Sequence, residues 1–207
     1  MGIRRFLVPV LAAAWLTGCV SVVGTVENTI AVVGSDTMLV LNRRFAEDYM
    51  RSHPGNTVRV DGGGSGVGIE ALIDGRADIA AASRPLSAIE VAALHEHFNT
   101  LGVRYLVAQD ALSVYVHHDN PVRNLSIEQL RGIFDGSLSQ WSMVGGSSSD
   151  VVVIIRPPSS GSHRFFRDHV LSGAPYSSRA VAVPTTRGVL MAVEDESAAI
   201  GYGGVAY

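Results

Sequence analysis

In this chain a strand-like run breaks at a Gly/Ser/Thr-rich turn and passes straight into a helix-like segment at three separate places. Side-by-side parallel strands need a crossover of a dozen or more residues, usually a helix, so a repeated strand–turn–helix unit points to a parallel α/β fold. The turns are Gly34-Ser35-Asp36-Thr37, Gly62-Gly63-Gly64-Ser65-Gly66 and Ser159-Ser160-Gly161-Ser162. A helix start carries unpaired backbone N–H groups and a partial positive charge, and hydroxyls placed there add donors. Taken singly, Ser35, Asp36 and Thr37 read as ordinary N-caps, whose loss costs about 0.5–2 kcal/mol. Three such turns, with Arg156 ending a β-prone run (Val151–Arg156) just before the third, point to convergence on a small oxyanion. A guanidinium fork matches two oxygens of such an ion at once.

The rest of the chain fits the same reading. Thr29–Val33, Thr57–Val60 and Ala77–Ala82 are short apolar strands. Between and after them, helical spacing of Leu41, Phe45, Ile69, Leu72, Leu94 and Phe98 marks these residues as core. Val103–His117 is expected to supply one or two more strands. Ser87 with Glu90, and Ser126 with Gln129, have capping-box spacing and open two further helices. Thr185–Asp195 reads as a helix, Ala198–Tyr207 as a last strand, and Trp141 as packing beneath the second half of the chain.

Composition excludes several function classes. The formal net charge is −3, and no basic stripe suited to a nucleic-acid backbone is visible. The glycine turn lacks Gly-Lys-Ser/Thr and is no nucleotide P-loop. A serine hydrolase would need Gly-x-Ser-x-Gly, but Val67 breaks the pattern after Ser65 and Ser160 fails it too. The seven histidines include no evident partner for a serine and no cluster with metal-ligand spacing, so neither catalysis nor a metal or other cofactor is expected.

The N-terminus is read as an address. Arg4 and Arg5 precede the apolar run Phe6–Trp15, which is too short for a permanent membrane span and ends in Leu16-Thr17-Gly18-Cys19. This resembles a bacterial lipoprotein signal, in which Cys19, the single cysteine, becomes the lipidated first residue. Residues 20–28 then form a tether, and the mature protein sits on the extracytoplasmic face of a bacterial membrane.

The ordered set of motifs resembles the phosphate-binding lipoproteins of bacterial ABC importers, within the periplasmic binding protein superfamily. It runs from Val33–Thr37 and Asp61–Gly66 through Ala77–Leu86 and Ile133–Gly136 with Gln140-Trp141. It continues with Arg156, Ser160–Ser162 and Ile200-Gly201-Tyr202. The resemblance implies an α/β, two-lobed, type II periplasmic-binding-protein-like fold that closes around its ligand. Its lobes are expected over 29–112 and 113–200, with 201–207 beginning a return to the first. It implies a monomer with inorganic phosphate and an ABC permease as partners, and no nucleic acid. By match to the family's motifs, Ser35 or Thr37 is the first-turn ligand, Ser65 the second, and Ser83 the third; Arg156, Ser160, Gly161 and Ser162 match the second-lobe ligands.

The chain departs from the family in three ways. Some members carry an aspartate at Ser83 and an acidic residue at Pro158. A carboxylate there accepts a hydrogen bond from protonated phosphate, which fully deprotonated sulfate cannot give. Asp36 is the expected replacement, with Asp61 the other acid within reach; without either, sulfate or molybdate becomes the alternative ligand. Family members also continue for some tens of residues past the Gly-Tyr motif, so a C-terminally shortened first lobe is expected. A sensor or adhesin on the same fold is the remaining rival.

Overall fold

The computed structural model describes residues 28–205 and 207. The expected signal segment 1–19 with Cys19, and tether residues 20–27, lie outside the described residues.

Strands β1 (Asn28–Gly34), β2 (Asn56–Asp61) and β3 (Ile79–Ala81) form an all-parallel sheet in the order β2-β1-β3. Helix α1 (Leu39–Ser52) joins β1 to β2, α2 (Ser65–Ile73) joins β2 to β3, and α3 (Ala88–Phe98) follows. The second sheet contains β4 (Leu112–Val116), β5 (Val152–Ile155), β6 (Val181–Ala182) and β7 (Ala199–Gly204), in the order β4-β7-β5-β6. Here β5 is parallel to β6 and β7, and β4 is antiparallel to β7. Helices α4 (Ile127–Asp135), α5 (Gly161–His169) and α6 (Thr186–Asp195) complete this lobe. The result is two α/β lobes, as the family resemblance implies, with the parallel strand pairing that the strand–turn–helix repetition predicts. No helix among the described residues is long and apolar enough to cross a membrane.

The second lobe holds the denser core. Its Val-Val-Ile-Ile strand β5 is flanked on one side by Ile133, Phe134, Trp141, Phe166 and Tyr202, all buried. Ile154, Val189, Val193 and Ala199 pack together as a second group. Trp141 lies under this lobe as expected, its Nε1–H donating to the Ala198 carbonyl at 2.9 Å. Both capping boxes form as the spacing predicts.

Three expectations about the first lobe are corrected. Ile69 and Leu94 are core, but Phe45 is 48% and Phe98 50% exposed. The face of α1 that meets the lobe carries Ala46, which rotates the Phe45 ring outward. Val103–His117, expected to supply one or two strands, supplies one, β4; Val103–Ala111 before it has no regular structure, and Val103, Tyr105 and Leu106 stand 78%, 80% and 81% exposed. A strand gains its stability from neighbours. Among the described residues no strand pairs with residues 103–110 or with the outer edge of β3. Residues 201–204, read as starting a return to the first lobe, lie inside the second sheet between β4 and β5. Past them, the Tyr207 hydroxyl does reach back, donating to the Asp36 carbonyl.

Candidate functional site

The carboxyl ends of parallel strands are where open α/β sheets hold ligands, and the segments carrying Ser35, Ser65 and Ser83 after β1, β2 and β3 meet there. The Ser35 N–H donates to the Ala81 carbonyl (2.7 Å) and the Gly64 N–H to the Gly34 carbonyl (2.9 Å). Their side chains then converge. Ser83 Oγ lies 3.0 Å from Ser35 Oγ and 3.1 Å from Ser65 Oγ, and Ser35 Oγ lies 2.9 Å from Thr37 Oγ1. Ser65 is fully buried and Ser35 nearly so, while Ser83 sits at the exposed rim.

These hydroxyls are not behaving as caps. Ser35 makes no side-chain cap bond to the turn it precedes, and Ser160 makes none to α5. Where capping is the purpose, the side chain takes it up: Ser87, Ser126 and Thr185 each accept an N–H from their own helix. The ordinary-cap explanation of Ser35 and Ser160 therefore fails on geometry.

The second lobe closes onto this cluster. The Gly66 N–H donates to the Ser159 carbonyl at 2.9 Å, and Gly64, at φ +104°, backs directly onto the Ser159–Ser160 peptide. Gly161 sits closer still. A Cβ on it would fall 2.2 Å from Ser83 Oγ and 2.5 Å from Ser65 Oγ, so only glycine brings the α5 N-terminus against those hydroxyls. Ser160 and Ser162 flank it, both buried.

Arg156, 1% exposed at the end of β5, is the electrostatic centre. Its Nη2 donates to Asp36 Oδ2 (2.5 Å) and to the Pro184 carbonyl (2.8 Å), and its Nη1 to Thr186 Oγ1 (2.8 Å). Its Nε is the one buried side-chain nitrogen or oxygen among the described residues without a hydrogen-bond partner. A buried polar group left this way costs free energy, and this one is a charged donor at the inter-lobe seam. Asp36 in turn accepts the Gly63 N–H on Oδ1 at 3.2 Å. The ion pair spans the lobes and leaves the two charges balanced.

A polar brace holds the arginine's backbone. The His163 ring donates through Nδ1 to the Arg156 carbonyl at 2.6 Å, which fixes Nδ1 as protonated. Burial pushes the His163 pKa down, so the neutral ring is favoured. Tyr176 donates to the His163 carbonyl (2.9 Å) and meets the Tyr202 hydroxyl at 3.0 Å, and Tyr202 approaches the Arg156 N–H at 3.4 Å. Burial raises Tyr202 to about 12, keeping the phenol protonated.

Thus Ser35, Thr37, Ser65, Ser83 and Gly161 form one cluster. Asp36 and Arg156 form an adjoining pair, and Ser160 and Ser162 lie on the same turn as Gly161. Asp61, by contrast, pairs with Arg59 at an exposed position away from Arg156. Thr186 and the Pro184 carbonyl are not singled out from sequence as parts of the site; His163, which borders the matched motif, reads there as a second-layer or rim residue, and it braces Arg156. Thr186 left one signal: a helix start needs a single cap, Thr185 supplies it, and the adjacent threonine is free for Arg156.

Two α/β lobes that meet at polar helix ends around a buried arginine define a solute-binding architecture. Residues 20–207 match the family described as the PBP superfamily domain, and the chain belongs to that family. It is 27% identical over 194 residues to the phosphate-binding protein PstS of Pseudomonas aeruginosa, across 88% of this chain and 60% of that protein. It is likewise 27% identical to PstS of Bacillus subtilis, across 85% of this chain and 57% of that protein. The chain thus spans about 60% of the length of these curated relatives. Among solved structures, one from Clostridium perfringens, described as a phosphate ABC transporter substrate-binding protein with bound phosphate, superposes with TM-score 0.79 at 25% identity. That match covers 87% of this chain and 72% of the other. An ABC-type phosphate transport receptor from Vibrio cholerae gives TM-score 0.63 at 29% identity, over 86% and 72%.

Proposed function

We propose that this chain is an extracytoplasmic lipoprotein that holds inorganic phosphate between its lobes and delivers it to an ABC importer. The observation that carries the reading is the meeting of Ser35, Ser65 and Ser83 hydroxyls with the Gly161 turn of the other lobe, beside Arg156. The proposed ligand set is Ser35, Asp36, Thr37, Ser65, Ser83, Arg156, Ser160, Gly161 and Ser162. The hydroxyls and the α5 N–H groups donate to phosphate oxygens, and the unpartnered Arg156 Nε–H donates a charge-assisted bond. Asp36 accepts a hydrogen bond from the proton that phosphate carries, in place of the acids missing at Ser83 and Pro158. Neutral bonds contribute about 0.5–1.5 kcal/mol each and charged ones about 1.5–3. Six to ten of them, less the cost of ordering the cleft, reach about micromolar affinity or better.

No group positioned for covalent chemistry takes part, and the role is capture and release. The names and titles of the relatives support phosphate as the solute. The short apolar run Phe6–Trp15 ending in Leu16-Thr17-Gly18-Cys19 supports lipidation at Cys19. The test is a thermal-shift series on the processed chain with phosphate, arsenate, sulfate and molybdate. A ligand at about 1,000 times its Kd adds about 4.1 kcal/mol of stability. Phosphate and arsenate are expected to raise Tm and sulfate to leave it unchanged. A larger shift with sulfate or molybdate reassigns the solute, and no shift with any oxyanion refutes the site.

A further inference from the structure

Strand β4 ends in the turn His117-His118-Asp119-Asn120. The Asn120 N–H donates to the His117 carbonyl at 3.0 Å and closes the turn. Asn120 is buried, its Oδ1 accepts the Val122 N–H at 2.9 Å, and Val122 packs into the second-lobe core. The turn is therefore pinned by the strand on one side and by the core on the other. Along a strand, successive side chains point to opposite faces, so two consecutive histidines there could not share a ligand. Turning the chain brings them together. The two imidazoles lie 4.1 Å apart, centre to centre, with the Asp119 carboxylate beside them. The spacing of the histidines in the sequence offers no metal cluster for this reason, while the folded chain does.

We propose that His117, His118 and Asp119 form a site for one divalent transition-metal ion of the zinc class, separate from the anion site. Among the described residues this is the one group of three such side chains within reach of a common ion, with one ligand atom from each within 4.8 Å of the others. Ligands at about 2.0–2.2 Å on a tetrahedral zinc stand about 3.3–3.5 Å from one another. His118 Nε2 and Asp119 Oδ1 are 3.3 Å apart, already at that spacing. His117 Nδ1 and Asp119 Oδ2 are 3.9 Å apart, a gap that a small rotation of the exposed carboxylate closes. The His117 tautomer also suits a metal. Its Nδ1 accepts the Asp119 N–H at 3.2 Å, so the lone pair is presented there and the ion takes the place of that long bond. The His117 side chain is 11% exposed and loses little freedom on binding, whereas His118 and Asp119 stand open and leave the remaining position to water. Arg123 sends its Nη2 to the His118 carbonyl (3.3 Å) and forms no ion pair with Asp119, which leaves the carboxylate to the metal. Two imidazoles with one carboxylate suit zinc, copper or nickel, while magnesium and calcium take oxygen ligands.

Strand register places this site away from the cleft. Leu112 of β4 lies opposite Gly204 of β7 and Val116 opposite Ile200, while β5 runs parallel to β7 and ends next to Arg156. His117 thus stands at the end of the sheet where β5 and β7 begin, and Arg156 at the other. Metal and anion are bound independently.

The test is calorimetric titration of the processed chain, carrying no polyhistidine tag, with zinc chloride in phosphate-free buffer. One zinc ion per chain is expected, with copper(II) bound more tightly and magnesium or calcium not bound. His118→Ala and Asp119→Asn are expected to weaken zinc at least tenfold, and His169→Ala, on the exposed side of α5, to leave it unchanged. All three side chains are exposed, so Tm without metal should match the parent. Anomalous scattering at the zinc edge, from crystals soaked in zinc chloride, is expected to place the ion between His117, His118 and Asp119. No zinc binding by the parent, binding that survives both substitutions, or an ion located elsewhere overturns the inference. Phosphate affinity of His118→Ala should equal that of the parent, and a change of more than twofold refutes the independence of the two sites.

Discussion

Replacing Asp36 with asparagine exchanges a carboxylate for an amide of nearly equal shape beside Arg156. It therefore isolates one charge. Asp36 is 5% and Arg156 1% exposed, so solvent screening is weak. An anion that takes the free Nε–H of Arg156 sits on the order of 4 Å from the Asp36 carboxylate. At an effective dielectric constant near 20, two unit charges at that distance interact by about 4 kcal/mol. Each extra negative charge on the ligand is opposed by about that much unless the ligand brings a proton to the carboxylate. Phosphate has such a proton near neutral pH, and sulfate does not. Allowing for partial solvation, Asp36→Asn is expected to tighten sulfate binding by about 100-fold, equivalent to roughly 2.7 kcal/mol. Phosphate should change by much less, because the amide still offers Oδ1 as an acceptor. Competition calorimetry at neutral pH reads both affinities on one sample. If the phosphate-to-sulfate ratio of Asp36→Asn equals that of the parent within twofold, the carboxylate has no role in selection and the reasoning is wrong.

Other perturbations test neighbouring parts of the argument. Gly161→Ala places a methyl within 2.5 Å of the Ser65 and Ser83 hydroxyls; calorimetry should show phosphate affinity reduced tenfold or more with little change in Tm. Arg156→Lys keeps the positive charge but removes the Nε–H and the planar fork, and titration should show at least tenfold weaker phosphate binding. Arg156→Ala strands a buried carboxylate, so about 3–5 kcal/mol of stability should go with it, read in urea unfolding. The Glu90 carboxyl is held down to about 2 by its hydrogen bonds with Arg84, below its ordinary value near 4.5. A depressed carboxyl stabilises the fold above its unfolded pKa and loses that contribution as pH falls toward the folded one. Tm should therefore decline between about pH 4.5 and 2, and less steeply in Arg84→Ala, whose Tm at pH 7 starts lower.

How much of this was legible in sequence depended on whether a residue's role was local. Strand–turn–helix units, both capping boxes and the apolar run of β5 depend on neighbours a few positions away, and each appears where its spacing puts it. The hydroxyl-bearing turns were also legible, because strand ends of one parallel sheet necessarily lie together. The partners of Arg156 were not. Thr186 and the Pro184 carbonyl come from a segment some thirty positions downstream, and Asp36 lies 120 positions upstream in the other lobe. Helical spacing named Phe45 and Phe98 as core on the assumption that every apolar face finds cover, and among the described residues of this lobe theirs does not. The Val103–Val107 stretch carries strand-forming residues for the same reason, yet β-propensity has no effect without a neighbour to pair with.

The outer side of β3 has a practical consequence. Its row of main-chain donors and acceptors faces no described strand, and elsewhere in the chain the Leu101–Val107 stretch is largely apolar and open to water. Such edges recruit any extended polypeptide that can complete them, and short length is their chief safeguard. At three residues, β3 gives only brief purchase. Crowded preparations should therefore self-associate slowly through this edge, and trypsin should cut first at Arg104, which lies exposed in a segment without regular structure.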